Sequence, residues 1–533
     1  MNKNRIIVLV SLLLGSVSVS AQFPSLNFGY LGLPQKVTTE SLADGIDFIH
    51  VRRGELSVHD YYTLSSGAIS KQKAADLTQL LANLGYEARH EPLAEFGLHG
   101  EPLGVLVRVG HFKDLAEAKK TERALHQSGV TMAVRHTAED GGASAGPFDI
   151  SILKVDLNRY KGKIKSALGE GRIQGKETTS SISKRYDAIA AVNAGFFAWE
   201  PAVGTVGDPA GVAVIDGSLV SEGTEGRAAL VIDNQKSKRV WVAHNLRTET
   251  HLKINDINWP VSGLNRTAGK VLNCGNLYAA PTALPAHDFV CRNANETILF
   301  DKSFGPMTSA KGSLEFVISP DGLVNFDIEK DGLEVPKGAY RVQAWGKSAN
   351  ELAELISAGQ TIEVHQKLSS DEGDIPLKKG LFLVNGGPTL LRAGQLDFSA
   401  RFKEGWETHF GTLTINDEFV DKKDTATVGD EYSSSRVGFY HGWVVRRHPR
   451  TAIGLSENNI LYVVVVYGRQ AGISAGASLR DMSQIFQDLG VKEAFNLDGG
   501  GSSVMVVNQR ITGSPSDKSG ERPVGDALLF TRD

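Results

Sequence analysis

Residues 494–507, AFNLDGGGSSVMVV, place one carboxylate and three consecutive glycines between two short apolar runs. The apolar runs predict strands, because their residues suit a pleated and buried surface. The glycines Gly499, Gly500 and Gly501 allow a ligand to approach the backbone, and their N–H groups suit an anion. Asp498 stands directly before this turn, where a carboxylate can be held for acid, base or nucleophilic chemistry. The alternative is a hairpin turn in which Asp498 binds its own backbone.

The turn matches no common motif for phosphate binding or hydrolysis. Its glycine spacing fits neither a dinucleotide-binding loop nor a P-loop. Ser502 and Ser503 do not stand in the G-x-S-x-G pattern of the triad hydrolases. The whole chain has 57 Lys and Arg against 61 Asp and Glu, so its net charge of −4 argues against non-specific nucleic-acid binding. A mean hydropathy of −0.16, with one long apolar run, excludes a multispanning membrane protein.

That apolar run predicts a signal peptide over residues 1–21. Lys3 and Arg5 precede an apolar core at 6–14, and small residues suited to cleavage follow at 19–21. The core is short for a bilayer span, so an uncleaved anchor is the weaker alternative. The protein is therefore expected to be exported to the periplasm or cell envelope of a bacterium.

Cys274 and Cys291 are the only two cysteines. In an oxidising compartment, two cysteines so close in sequence favour a local disulfide. The alternative is a pair of buried free thiols. Without a matching histidine pair they make a poor zinc site.

Composition and periodicity divide the chain into several segments. Residues 22–57 are predicted to be irregular. Residues 58–138 contain two βαβ halves, each with a capped helix that ends at a glycine, which predicts a four-stranded sheet covered by two helices. Residues 139–147 are rich in Gly, Ala and Ser and predict a flexible linker. Residues 148–533 have the pattern of a larger, β-rich domain, so the predicted fold class is α+β.

Strand-like apolar runs dominate the larger domain. They lie at 150–155, 188–192, 211–215, 230–232, 314–318, 381–384 and 461–467. The clearest helix begins after Ser478, with Asp481 in the capping-box position.

The first half of the chain resembles a known module at residues 107–114, VRVGHFKD, and in the following helix up to Gly129. With this stretch, residues 58–138 resemble a SPOR domain, the peptidoglycan-binding module of bacterial envelope proteins. The resemblance implies an exposed sheet face that binds glycan strands stripped of stem peptides. Tyr62, Arg108 and Phe112 are the expected contacts. The alternative is that Tyr62 and Phe112 are core residues and that Arg108 is a solvated strand residue.

A second resemblance rests on several motifs spread over residues 148–533. They are AAVNAGFF at 190–197, DPAG at 208–211, DG at 216–217, NGGP at 385–388, HPRTAIG at 448–454, DGGGSS at 498–503 and ERPV at 521–524. Together they resemble the phosphodiester glycosidases, the family of the N-acetylglucosamine-1-phosphodiester alpha-N-acetylglucosaminidases. Ala194 departs from the family pattern, which has glycine there.

The resemblance implies hydrolysis of a sugar-1-phosphodiester at the sugar C1–O bond, with cell-envelope or exopolysaccharide glycans as the expected substrates. A phosphate monoester has a second pKa of about 6, so it leaves without a strong general acid. One carboxylate with cationic and backbone donors for the phosphate could suffice, and the usual pair of carboxylates stays open.

The resemblance also implies roles for particular residues. Asp498 is the expected nucleophile or base, Arg450 the bidentate phosphate clamp, and His448 the group that protonates or orients the leaving oxygen. Further substrate contacts are expected at Asn193, Gly195, Asn385, Gly386, Gly499, Gly500, Gly501, Ser502, Ser503 and Arg522. Alternatively, the arginines pair with acidic residues structurally, and Asn193 binds the backbone of a turn.

Two other functions stay open at this point. The first is an envelope protein that binds glycans without turnover. The second is a metal-dependent phosphodiesterase that cuts the P–O bond. No His and Asp cluster has two-metal spacing, and the acidic residues of one polar loop are expected to be solvated: Asp421, Asp424, Asp430 and Glu431. No motif calls for a cofactor, and the sequence leaves a divalent cation undecided.

Overall fold

The computed structural model describes residues 23–93, 104–235, 238–282, 285–308, 313–326, 332–397, 403–406 and 440–532. The signal peptide predicted at 1–21 and the polar loop at 421–431 lie outside the described residues. Strands account for 40% of the structure and helices for 15%, so the predicted α+β class is confirmed. None of the described helices is long and apolar enough to cross a membrane.

The strands, in chain order, are β1 (Gln35–Ala43), β2 (Ile46–Arg53), β3 (Tyr62–Ser65), β4 (Ala88–Pro92), β5 (Val105–Phe112), β6 (Ala133–His136), β7 (Phe148–Asp156), β8 (Lys163–Leu168), β9 (Ala188–Asn193), β10 (Ala213–Ile215), β11 (Ser218–Ser221), β12 (Ala229–Asp233), β13 (Arg239–Ala243), β14 (Arg247–Ile254), β15 (Ile257–Pro260), β16 (Gly263–Leu264), β17 (Val271–Leu272), β18 (Val290–Cys291), β19 (Thr297–Phe300), β20 (Leu314–Ile318), β21 (Val324–Asn325), β22 (Tyr340–Ala344), β23 (Ile362–Ser370), β24 (Gly373–Asp374), β25 (Leu381–Asn385), β26 (Thr389–Arg392), β27 (Gln395–Leu396), β28 (Arg450–Ser456), β29 (Ile460–Val466), β30 (Val491–Asn496), β31 (Met505–Val507), β32 (Arg510–Ile511) and β33 (Asp526–Thr531). The α-helices are α1 (Lys71–Asn83), α2 (Leu115–Gln127), α3 (Thr179–Arg185), α4 (Gly346–Leu355) and α5 (Leu479–Asp488). Single helical turns occur at Thr137–Glu139, Gly169–Gly171, Tyr440–Val445 and Gly500–Ser502.

The largest sheet has eight strands in the order β1-β2-β7-β29-β28-β30-β26-β27, and its neighbours are antiparallel. The prediction of an irregular segment at 22–57 is therefore wrong for β1 and β2. β2 pairs with β7 along its whole length, from Ile46 opposite Val155 to Arg53 opposite Phe148. It buries Ile46, Ile49 and Val51, so its apolar side chains complete the core of the larger domain.

Arg53 holds the chain that precedes these strands. Its side chain is 1% exposed. Its guanidinium donates hydrogen bonds of 3.1 Å to three backbone carbonyls, those of Phe28, Tyr30 and Leu33. A planar guanidinium can satisfy several carbonyls at once, which explains why an arginine is tolerated inside this part of the fold.

The segment at 139–147 is packed, and the prediction of a flexible linker is wrong. The Ser144 and Ala145 carbonyls accept hydrogen bonds from the backbone of residues 30 and 55, at 2.9 and 3.1 Å. Arg447 donates to the Gly142 carbonyl at 2.7 Å. A side chain at Gly141 would overlap the Val445 carbonyl, and its φ is +85°. The glycines of this segment therefore permit close backbone contact rather than free movement.

The smaller unit has the predicted architecture. Its strands lie in the order β4-β5-β3-β6, and α1 and α2 pack on them. Ser70 and Asp114 cap the two helices, as the sequence predicts. Val107 and Val109 belong to the apolar core of this unit.

The Arg108 side chain is not open to solvent. Arg108 is 1% exposed and forms ion pairs with Glu91 and Asp140. On the same unit, Arg135 lines a cavity together with His441 and Arg446 of the larger domain. Arg108 is therefore a buried residue that forms ion pairs. Both predictions for Arg108 are wrong: it is neither an exposed glycan contact nor a solvated strand residue.

The other two expected glycan contacts lie side by side. Tyr62 pairs with Phe112 across β3 and β5, and both are half-buried. Phe112 packs against the apolar core of this unit, and Tyr62 contacts the His136 ring edge-on. Peptidoglycan binding by residues 58–138 stays a prediction.

Two further sheets share an apolar core with the large sheet. Their orders are β32-β31-β9-β33-β8 and β11-β10-β25-β12-β13. All three sheets contribute to this core: the large sheet with Leu153 and Phe495, the sheet of β9 with Val192 and Leu528, and the sheet of β25 with Val384. The opposite face of the large sheet packs against α5, whose capping box between Ser478 and Asp481 is present as predicted. The strands β9, β25 and β30 consequently end close together.

The remaining strands form three smaller sheets. Their orders are β15-β14-β23-β24, β16-β19-β22-β20-β21 and β17-β18. Each predicted strand run overlaps an observed strand, although β10 begins only at Ala213 and β29 ends at Val466; the runs are 150–155, 188–192, 211–215, 230–232, 314–318, 381–384 and 461–467.

Arg53→Ala is expected to lower the free energy of unfolding by about 3 kcal/mol, because it leaves several buried carbonyls without a donor. The matched control is Arg52→Ala on the same strand, where the side chain is 46% exposed and pairs with Asp149 at 3.4 Å. That variant should lose less than about 1 kcal/mol. Urea unfolding of both proteins measures the difference. Equal losses would contradict a structural role for the N-terminal segment.

Candidate active site

The turn that follows β30 is held by a buried asparagine at the end of β9. Asn193 is 0% exposed. Its Nδ2 donates to the Asp498 carbonyl at 2.7 Å. Its Oδ1 accepts hydrogen bonds from the Thr451 hydroxyl at 2.7 Å and from the Val504 N–H at 3.2 Å. Asn193 is therefore a scaffold residue that binds a turn backbone, as the alternative predicts, and its expected substrate contact is not supported.

Asn385, at the end of β25, holds the neighbouring turn in a similar way. Its Oδ1 accepts a hydrogen bond from the Phe196 N–H at 3.1 Å. A Cβ at Gly195 would overlap the Asn385 amide, and a Cβ at Gly386 would overlap the Phe495 ring. Both glycines thus serve close packing, and all three residues position the site rather than contact the cavity.

The glycine turn uses its own N–H groups. Gly499 donates to the Asp498 carboxylate at 2.8 Å, and Gly500 donates to the Pro449 carbonyl at 2.8 Å. This geometry matches the alternative in which Asp498 binds its own backbone. A Cβ at Gly501 would overlap the Arg522 guanidinium, so the third glycine makes room for that side chain. Ser503 is buried and lies behind the turn.

A cavity of about 320 Å³ opens in front of this turn. Asp498, Ser502 and Arg522 lie on one side of it. The other lining residues are Lys176, Phe196, Phe197, Trp199, Ala210, Leu272, Asn273, His287, Asp288, Trp443 and Pro523. This volume falls in the range of small-molecule sites.

The walls of the cavity shift the acidity of Asp498. Asp498 is partly exposed, but protein surrounds its carboxylate on most sides. This burial raises the pKa of Asp498 to about 6. Hydrogen bonds from Ser502 and Gly499 and the charge of Arg522 oppose the shift. A carboxylate with a pKa close to neutral is both basic and largely ionised at pH 7, which suits a base or a nucleophile.

Arg522 and Lys176 are the cationic residues that line the cavity, and the expected phosphate clamp at Arg450 is not supported. Arg450 is 2% exposed and donates to the Ala477 carbonyl at 3.2 Å and to the Trp443 carbonyl. Burial lowers the pKa of Arg450 to about 9. Arg522 lines the cavity, is held by Asp517 at 2.7 and 3.0 Å, and keeps 42% of its side chain exposed.

His448 is also outside the described lining of the cavity. Its Nδ1 accepts hydrogen bonds from Arg469 at 3.1 and 3.2 Å, so its Nε2 carries the proton and donates to the Gly442 carbonyl. Burial, and then the charge of Arg450, hold the pKa of His448 well below its usual range. A neutral imidazole with both nitrogens engaged does not fit the expected role toward the leaving oxygen.

Sequence reasoning missed the aromatic wall of the cavity. The His287 ring lies 5.0 Å from the Phe196 ring and 5.1 Å from the Trp443 ring. Trp406 stacks behind Trp443 at 5.4 Å. These residues come from separate parts of the chain, so no local pattern joins them.

The predicted disulfide between Cys274 and Cys291 is confirmed, with a Cα–Cα distance of 5.7 Å. It closes the loop that follows β17 and leads into β18. This loop contributes His287 and Asp288 to the cavity wall. The disulfide therefore supports the site as well as the fold. In the described part of the chain, no group of three or more His, Cys, Asp or Glu side chains is arranged to hold a metal ion.

The variant with both Cys274→Ser and Cys291→Ser is expected to lose about 3 kcal/mol of unfolding free energy in the chain-entropy model. Urea unfolding with and without a reductant measures this loss. Reductant should destabilise the wild-type protein by a similar amount and leave the double variant unchanged. A wild-type protein that is indifferent to reductant would contradict a structural disulfide.

Asp498→Asn is expected to raise Tm at pH 7.5. The folded pKa of Asp498 lies above the unfolded value of about 3.9, so the ionised group destabilises the fold above pH 6, and this penalty disappears below about pH 4. Asparagine keeps an acceptor for the Gly499 N–H. Melting curves from pH 4 to pH 8 should show a Tm difference that shrinks on acidification. A lower Tm at all pH values would contradict the burial of a charge at this position.

Comparison with known proteins supports two relationships of this chain. Residues 314–531 match the family model of the phosphodiester glycosidases. A crystal structure from Burkholderia pseudomallei K96243, of a protein provisionally described as exported, is 30% identical. The match covers 95% of this chain and 98% of that protein, with a TM-score of 0.83.

Two other similarities are more limited. A hypothetical protein from Synechocystis is 15% identical, with 96% of this chain and 81% of that protein covered and a TM-score of 0.51, which shows a shared fold alone. A prophage-derived uncharacterised protein of Bacillus subtilis (strain 168), YomE, is 40% identical over 85 residues. That match spans 16% of this chain and 13% of the length of the curated relative.

Proposed function

We propose that this protein hydrolyses a sugar-1-phosphodiester at the C1–O bond. The chain belongs to the same protein family as the Burkholderia pseudomallei protein, and its residues 314–531 match the phosphodiester glycosidase domain. One observation carries the proposal. Asp498 has a pKa raised to about 6 by burial and lies beside Arg522 in a cavity of about 320 Å³. This arrangement provides a basic carboxylate, a cation for the phosphate and room for a sugar.

Different residues of the cavity lining would bind the phosphate and the sugar. Asp517 accepts hydrogen bonds from Nε and Nη2 of Arg522 and so fixes the guanidinium beside the cavity, where its remaining N–H groups can donate to the phosphate. The rings of Phe196 and Trp443 offer apolar surface for the C–H face of a sugar. In this pose the phosphate lies toward Arg522 and the anomeric carbon lies toward Asp498.

Asp498 then attacks C1 or activates the attacking water. The bond between C1 and the phosphate oxygen breaks, and its electron pair leaves with the phosphate monoester. Because the monoester is a weak base, the step needs no strong proton donor. This fits the neutral and fully engaged state of His448. Arg522 stabilises the charge that develops on the leaving group.

We place this activity in the bacterial cell envelope, on envelope or exopolysaccharide glycans. The predicted signal peptide at 1–21 supports export, as does the provisional description of the Burkholderia pseudomallei relative. A SPOR-like unit at 58–138 would retain the enzyme near its substrate and raise its local concentration there.

The test is to incubate purified protein with a panel of sugar-1-phosphodiesters in ¹⁸O-labelled water. The proposal expects the label on C1 of the released sugar and none in the phosphate monoester. Label in the phosphate would identify a phosphodiesterase that cuts P–O and would refute the proposal. Binding of the panel without any turnover would instead identify a glycan-binding protein.

Asp498→Asn should lower turnover by at least about 10³-fold while binding is retained, because the amide keeps the shape but not the basic lone pair. Arg522→Lys should raise KM and lower kcat/KM, because an ammonium group cannot keep the two-bond pair with Asp517 and also present planar N–H donors to the phosphate. The matched control is Arg450→Lys, which should lower Tm with little change in KM, because Arg450 binds carbonyls in the scaffold. Steady-state kinetics beside melting curves separate these cases. A fully active Asp498→Asn protein would refute the mechanism.

A further inference from the structure

Asp288 is a second carboxylate at the same cavity. It lies on the loop closed by Cys274 and Cys291, and both Asp288 and Asp498 line the cavity. The position falls before residue 314, so it is not part of the segment that matches the family model. Asp498, Ser502 and Arg522 lie in the C-terminal part of the chain, whereas Asp288 comes from its middle.

The backbone of Asp288 is held in place. Its φ is +61°, a conformation that non-glycine residues adopt rarely. Its N–H donates to the Asn273 side chain at 3.0 Å, and the Asn273 amide in turn donates to the Ala210 carbonyl at 3.0 Å. Asn273 is buried. The contacts of Asn273 therefore tie the disulfide loop to the cavity wall and fix the point from which the Asp288 side chain extends.

Both carboxylates at the cavity have a pKa that is raised to about 6. Burial within the cavity, followed by the negative charge of Asp498, raises the pKa of Asp288 to about 6, and Arg227 opposes the shift. The Asp288 side chain is 45% exposed, so solvent moderates this shift. Asp498 accepts hydrogen bonds from Gly499 and Ser502 that stabilise its charge.

Besides Asp288 and Asp498, the titratable side chains that line the described part of the cavity are cationic or neutral. The Nε2 of His287 lies 3.5 Å from the Asp288 carboxylate, and burial holds the pKa of His287 well below its usual range. Lys176 and Arg522 also line the cavity. Asp288 is thus an exposed carboxylate that lines the same cavity as the partly buried Asp498.

We propose that Asp288 is the general base that activates water against a covalent glycosyl intermediate on Asp498. This inference rests on the proposed glycosidase function. In the first step an Asp498 oxygen bonds to C1, and the phosphate monoester leaves with the electron pair of the C1–O bond. In the second step water attacks C1 and transfers a proton to Asp288. The bond between C1 and the Asp498 oxygen then breaks and returns its electron pair to that carboxylate.

The leaving groups explain why the second step needs this base. Phosphate monoester departs without help, but water is a weak nucleophile and gains reactivity when a base accepts its proton. A base for water should meet solvent, which the exposure of Asp288 allows. The nucleophile should be shielded and fixed, which matches the turn around Asp498.

The experiment compares Asp288→Gly and Asp288→Asn with the wild-type protein. Glycine accepts the positive φ and leaves space at the base position, and asparagine keeps the shape without the base. For both variants kcat should fall by about 10²- to 10³-fold, while kcat/KM for a phosphodiester stays within about threefold, because only the second step is slowed. Intact mass should show a glycosyl adduct. The exposed Asp256→Asn in the hairpin between β14 and β15 is the control and should change neither value.

Azide provides the decisive measurement. It needs no base, so it should restore the rate of Asp288→Gly and form a glycosyl azide with the anomeric configuration of the substrate. Unchanged kcat in both variants would overturn this inference, and so would failure of azide to rescue a folded Asp288→Gly protein. In either case, C1–O cleavage by the wild-type protein would still support the proposed function. A wild-type protein that does not cleave C1–O would overturn both.

Discussion

The buried side chain of Asn193 is the interaction on which the candidate active site depends. It joins the end of β9 to the Asp498 carbonyl, to the Val504 N–H and to Thr451 of β28. Thr451 belongs to the large sheet, Asn193 to the sheet that contains β9, and Asp498 and Val504 to the connection between β30 and β31. Because the amide is fully buried and each of its atoms is used, replacing it would leave several buried polar groups unpaired. The position of the Asp498 turn is thereby linked to the packing of two sheets.

Burial of carboxylates is the electrostatic consequence of this packing. Burial also raises the pKa of Asp526 to about 7, although its Oδ1 accepts a hydrogen bond from Gly195 at 2.8 Å, and the charge of Asp498 adds to the shift. The site therefore concentrates carboxyl groups in and behind one small cavity. Such an arrangement costs stability in the ionised state and is typical of sites that use the charge for chemistry. Asp526 acts on the scaffold, where it holds the Gly195 turn.

The two arginines near the site show how strongly burial decides a role. Arg450 and Arg522 both stand within motifs that resemble the phosphodiester glycosidases. Arg450 begins β28 inside the large sheet, where its guanidinium donates to the Ala477 and Trp443 carbonyls and lies over the Trp443 ring. Arg522 lies on a connection that borders the cavity, and a glycine at 501 leaves space for it. The motifs themselves do not distinguish these environments.

The sequence by itself determined the features that depend on neighbours along the chain. The Asp498 turn, the capping box of α5, the two βαβ halves and the local disulfide each need only a short stretch of residues. Tertiary structure alone decided that β1 and β2 belong to the large sheet, because a strand is completed by partners from distant segments. It also decided that Asp288 and the ring of Trp443 share a cavity with Asp498, since convergence of strand ends from separate sheets leaves no local pattern in the sequence.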